Sequence, residues 1–95
     1  MKRVIILPIA AKELLAIWDY SFENWGVDHA DRYVGEVNVM FERIADGSAL
    51  SRPVDDLRPG IRKVAVGRHV VFFRESADAV EVVRVLHERM DVGRV

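Results

Sequence analysis

The last third of the chain is dense in side chains that hold anions: Arg62, Lys63, Arg68, His69, Arg74, Arg84, His87 and Arg89 all fall there. Guanidinium and ammonium groups clamp phosphate and carboxylate oxygens, and a histidine titrates near neutrality, so it can take or give a proton. Arg62, Lys63, Arg74 and Arg84 are therefore candidate phosphate holders, and His87 a candidate acid or base. Each has a plainer role as well. Arg84 can pair with Glu81 inside the fold, His87 can bond to backbone at a strand end, and His69 can stabilise a turn. The chain has no cysteine, which excludes disulfides and thiolate metal sites, and its three histidines, His29, His69 and His87, lack ligand spacing. Neither a metal nor a cofactor is expected.

The segment that must position these groups runs from Pro59 to Asp91. Its apolar residues are mainly Val and Phe, in three short runs that read as an antiparallel meander. Gly67 supplies the positive φ that a two-residue type II′ hairpin needs at its first central position, and Ser76-Ala77-Asp78-Ala79 forms a looser second turn. Along the last strand, strict alternation puts Val80, Val82, Arg84 and Leu86 on one face and Glu81, Val83, Val85 and His87 on the other. Neither face is purely apolar, so cations are expected on an open face or rim, and a partner is expected to complete the burial.

Upstream, Val4 to Leu7 reads as a buried strand that Pro8 ends. From about Ala10 to Trp25 a helical period puts Leu14, Trp18, Ser21 and Trp25 on one stripe, flanked by Leu15, Ile17 and Phe22, and Gly26 stops the helix. A second helix starts at an Asp28 N-cap and repeats Ala30, Tyr33, Val34, Val37, Phe41 and Ile44. Residues 47–60, rich in Ser, Pro, Asp and Gly, read as a surface connection. The order β-α-α-β-β-β specifies an α+β fold: a two-helix hairpin across one face of a small antiparallel sheet, with the other face partly open.

The 95 residues suit one domain, 1–95, with a single modest core. A net charge of -1 hides an asymmetry. Residues 1–57 hold six Lys/Arg against ten Asp/Glu, and residues 58–95 eight against five, so the strand half either suits an anionic partner or carries charges that are simply solvated. The opening Met1-Lys2-Arg3 and its apolar run imitate a secretory signal, but Pro8 breaks the run and a charged helical pattern follows. With no apolar stretch long enough to span a membrane, a cytoplasmic protein is expected.

Several stretches together resemble the ParE family of toxin-antitoxin toxins, within the wider RelE/ParE superfamily. They are Tyr20, Trp25-Gly26, Ala30 and Tyr33; Leu57-Arg58-Pro59-Gly60; Gly67-Arg68-His69; and Arg84-Val85-Leu86-His87 with Met90-Asp91. The resemblance spans nearly the whole chain in order, and R-V-L-H-E-R-M-D is its most specific part. It implies a toxin that causes growth arrest until a ParD-type antitoxin encoded beside it wraps a helical segment around it. ParE toxins are described as poisons that stabilise the cleaved complex of DNA gyrase, acting by binding, with DNA met only through the antitoxin or the gyrase. On this reading Arg62, Lys63, Arg74, Arg84, His87, Arg89, Met90 and Asp91 are candidate target contacts, and Leu14, Ile17, Trp18 and Phe22 candidate antitoxin contacts. The alternative is the RelE branch, whose members cut messenger RNA on the ribosome. That chemistry needs a base, an acid and phosphate holders, and the tyrosine many of those nucleases carry near the C-terminus is missing, since Tyr20 and Tyr33 lie on the helices.

Overall fold

The computed structural model describes residues 1–54 and 59–90. Strand β1 (Arg3–Ile6) leads into helix α1 (Pro8–Trp25) and helix α2 (Val27–Ala45), followed by β2 (Arg52–Pro53), β3 (Arg62–Val66), β4 (His69–Glu75) and β5 (Ala79–His87). The five strands form one sheet in the order β1-β5-β4-β3-β2. The expected meander β3-β4-β5 is present and antiparallel. Two features were not expected. β1 returns beside β5 in parallel register, Arg3 opposite Ala79 through Ile6 opposite Val82, and the connection after α2 contributes a two-residue strand paired to β3. The sheet is therefore mixed: after both helices the chain re-enters at the far edge through β2, and the antiparallel β3-β4-β5 run then brings β5 back beside β1 in the same direction.

Helix boundaries follow local chemistry. Pro8 does not merely end β1; it sits in the first turn of α1, where its missing N–H costs nothing. Only Gly26, at φ +90°, separates the helices and caps both, so Asp28 lies in the first turn of α2 instead of at its N-cap. On α1 the buried stripe is Ala10, Leu14, Ile17 and Ser21, while Trp18 and Trp25 lie outside it. On α2 the expected stripe holds, with Ala30, Val37, Phe41 and Ile44 buried.

The β4–β5 ladder slips once: Phe72 faces Arg84 and Phe73 faces Val82, leaving Val83 as an extra residue. This bulge overturns the strict alternation expected for β5, since one inserted residue exchanges the faces beyond it. Val80 and Val82 pack under the helices, and so does Val85. Phe72 and Leu86 point to the opposite face, where Val54 and Ile61 pack with them. That face is therefore occupied by the chain's own connection where an outside partner was expected.

Two ties hold the helical hairpin to the sheet. β1 stops opposite Val82, so among the described residues the β5 edge beyond it has no neighbouring strand. There Glu13 of α1 takes over: one carboxylate oxygen accepts the Val85 backbone N–H at 2.8 Å, and the other accepts the Arg84 guanidinium at 2.7 and 3.0 Å. The second tie is at the β3–β4 turn. Val66 pairs with His69 around Gly67-Arg68, and Gly67 alone has positive φ, +57°, as a type II′ turn requires. The ring of Tyr33 lies over that glycine so closely that a Cβ there would fall 2.6 Å from its hydroxyl.

Both ties are open to test by chemical or thermal unfolding. Glu13→Ala removes the carboxylate that the largely buried Arg84 guanidinium binds and leaves the Val85 edge N–H without its acceptor, so it is expected to lower stability by about 1–3 kcal/mol, and Glu13→Gln, which keeps an acceptor, by less. Gly67→Ala imposes both a left-handed backbone and a collision with Tyr33, an expected loss of at least about 2 kcal/mol. Tyr33→Ala in the same chain relieves only the collision, so the two substitutions are expected to be non-additive.

Candidate functional site

The C-terminal half of α1, the start of α2, the β3–β4 turn and the end of β5 enclose a groove of about 860 Å³. Ala16, Ile17 and Tyr20 of α1 form one wall. Trp25 and His29 close one end, their rings 5.0 Å apart, and Tyr20 meets Trp25 edge-on at 5.9 Å. Tyr20 and Trp25 remain 61% and 59% exposed, which is a large uncovered aromatic area for two neighbouring side chains. Arg68, Arg89 and Met90 form the opposite lip, and neither guanidinium has an ion pair among the described residues.

The floor is a line of three polar rings. The Tyr33 hydroxyl accepts the Arg68 backbone N–H at 3.1 Å, lies within hydrogen-bond distance of His69 Nδ1 at 2.6 Å, and reaches the Val66 carbonyl at 3.4 Å. His69 meets His87 edge-on with centroids 5.4 Å apart, as their cross-strand pairing requires, and His87 Nδ1 accepts the Arg89 backbone N–H at 3.2 Å. Burial raises the Tyr33 pKa above its ordinary value, partly offset by the Arg68 N–H, so the phenol stays a donor. Burial, together with the neighbouring His87, holds His69 below its ordinary 6.5. Among the described residues no group of metal-binding side chains is assembled.

The expected target contacts are divided by the fold. His87, Arg89 and Met90 meet at the groove, while Asp91 lies outside the described residues. The four expected phosphate holders do not converge. Arg84 is bound to Glu13, where the sequence suggested Glu81. Glu81 instead pairs with Arg74. Arg62 donates to the hydroxyl and carbonyl of Ser51 at 2.8 and 3.0 Å. Lys63 lies on β3 opposite Phe72, away from the groove. The expected sheet of outward cations is thus largely a set of internal contacts.

The α1 candidates divide too. Ile17 is in the core and also lines the groove, and Leu14 packs against that core. Trp18 stacks on Phe22 at 5.2 Å and gives its indole N–H to Asp31 at 2.9 Å, leaving Phe22 48% exposed on the outer side of the hairpin. Sequence reasoning missed Tyr33 and the Tyr20–Trp25–His29 end of the groove as functional groups. The helical stripe through Tyr33 marked it as core, and nothing along the chain indicated which turn its hydroxyl reaches.

With this geometry in view, comparison with known proteins is informative. Residues 4–92 match the family model described as the ParE toxin of the type II toxin-antitoxin system, parDE. The chain is 41% identical over 93 residues to Toxin ParE1 of Mycobacterium tuberculosis, covering 97% of this chain and 95% of that one. It is 42% identical over 82 residues to Toxin ParE1 of Caulobacter vibrioides, covering 86% and 84%. In fold it is similar to a chain of the chromosomal ParDE TA system from P. aeruginosa, with a TM-score of 0.77 at 20% identity over 92% and 96% of the two chains. No helix among the described residues is long and apolar enough to cross a membrane. The chain belongs to the ParE toxin family of type II toxin-antitoxin systems.

Proposed function

We propose that this toxin acts in the cytoplasm by binding DNA gyrase through the α1–α2–β-turn groove and stabilising the cleaved gyrase–DNA complex, and that a ParD-type antitoxin neutralises it by covering the same groove. One observation carries this reading. The side chains best suited to hold a transferred phosphate, Arg62, Arg74 and Arg84, are engaged within the chain, whereas the aromatic groove with Arg68 and Arg89 at its lip is left uncovered. Exposed Trp and Tyr beside Arg with no ion pair among the described residues are the residue types that dominate binding energy at protein interfaces. The surface therefore supports recognition of a protein better than phosphodiester cleavage. An amphipathic antitoxin helix would lay its apolar face on Ile17, Tyr20 and Trp25 and direct acidic groups to the lip. This moves the antitoxin contact away from Trp18 and Phe22 on the outer side of the hairpin and from the packed Leu14, to the groove side of α1 that Ile17 shares.

The test is a gyrase cleavage assay on supercoiled DNA with the purified chain. Linear DNA, released after denaturation, is expected to accumulate with toxin concentration. Trp25→Ala and the double substitution Arg89→Ala with Met90→Ala are expected to weaken the effect at least about tenfold, the equivalent of about 1.4 kcal/mol of contact energy. Supercoiling and cleavage untouched at high excess, with message cut in a translating extract, would place the protein on the RelE side.

A further inference from the structure

We infer that the outward face of the α1–α2 hairpin is a self-association surface. A second copy of this chain covers it about a two-fold axis that runs along the helices, so that α1 of each copy lies on α2 of the other. This face is turned away from the groove, and the inference does not depend on the reading of the toxin's target.

The residues that project there follow from the helical period, opposite the buried stripes. On α1 they are Leu15, Asp19, Phe22 and Glu23, and on α2 Arg32, Gly35 and Val39, all of them exposed. Leu15 is 67% and Val39 53% exposed, and the space over Gly35 is open, since a Cβ there would meet nothing within 4 Å. A glycine in the middle of an exposed helix weakens that helix, but the notch it leaves beside Val39 is the shape that receives a side chain such as Leu15.

Height along the hairpin decides which residues meet. Gly26 alone joins the two helices, and the Trp18–Asp31 hydrogen bond places residues at similar distances from the turn side by side. A two-fold along the helices preserves height and exchanges one helix for the other. Leu15, eleven residues before Gly26, then falls between Gly35 and Val39 of the other copy, nine and thirteen after it. Arg32, six after Gly26, falls between Glu23 and Asp19 of the other copy, three and seven before it. None of these three charged groups has an ion pair among the described residues, and symmetry makes each contact twice. Lys12 comes level with the stretch between Glu36 and Arg43 and favours neither sign. A two-fold across the helices, with Leu15 on its axis, is the poorer fit: it brings Arg32 within one residue of Arg43 on one flank and Asp31 within one of Glu42 on the other, like charge on like. The helices are roughly 27 Å long and the pair about 20 Å wide, so the contact buries on the order of 500 Å² per copy, the low end for a specific interface, and a dissociation constant on the order of 10–100 μM is expected.

Sedimentation equilibrium on the intact chain, from roughly 1 to 500 μM, is the experiment. The average mass is expected to rise from 10.8 kDa toward twice that value, and less steeply at high salt. Arg32→Asp and Asp19→Arg are each expected to weaken association at least about fivefold, and the two together to restore it. Gly35→Gln fills the notch and is expected to weaken association at least about tenfold while raising the melting temperature, so that unfolding cannot account for the loss. A chain that stays monomeric throughout overturns the inference, as does a dimer indifferent to Gly35→Gln or one that the paired charge reversal fails to restore. A monomer whose residues 15–23 gain exchange protection only when gyrase is added would give the face to that partner and overturn it equally.

Discussion

The architecture depends on a strand that ends early. β1 covers β5 only as far as Val82, and β5 continues to His87 with its edge exposed to whatever follows. An uncovered strand edge presents backbone groups that must be satisfied. Glu13 answers for Val85, which binds α1 to the edge, and the same carboxylate draws Arg84 out of the set of free cations. The bulge at Val83 lies where that change of neighbour occurs and returns Val85 and His87 to the helix side. The groove is the space that remains beyond Glu13, where α1 runs on past the sheet and no strand of the described residues follows it.

This division of labour explains why a chain with so many strand arginines does not display them together. Pairing of Arg84 with Glu13 and of Arg74 with Glu81 serves the fold, and the exposed Arg74 pair contributes little stability by itself. Arg68 and Arg89 escape because they sit in a turn and after a strand, where no acidic side chain of the described residues reaches them. The uncovered surface is thus aromatic with a cationic lip, the composition of a contact patch.

Much of this was legible in the sequence. The α2 stripe, the Gly67 hairpin and the β3-β4-β5 meander followed from periodicity and from a glycine's freedom at positive φ. The parallel return of β1 was not, because pairing between residues 3–6 and 79–82 leaves no local trace. The bulge was equally hidden: a run of valines satisfies either face, so the inserted Val83 carries no signal of its own. On α1 the aromatic residues obscured the true stripe: Leu14 and Ser21 do lie on it, but Trp18 and Trp25 weigh more in any apolar pattern than the buried Ala10. Tyr33 was assigned correctly to the core stripe and still misread, because its hydroxyl finds its partners more than thirty residues away.

If partners meet this toxin at the groove, an exchange footprint on its complex with purified gyrase shows new protection concentrated in the segments around Tyr20–Trp25, His29–Tyr33 and Gly67–His69, with β3 and the Arg74 end of β4 unchanged. Protection centred on Lys63 and Arg74, with the groove segments exchanging as in the free protein, would contradict it.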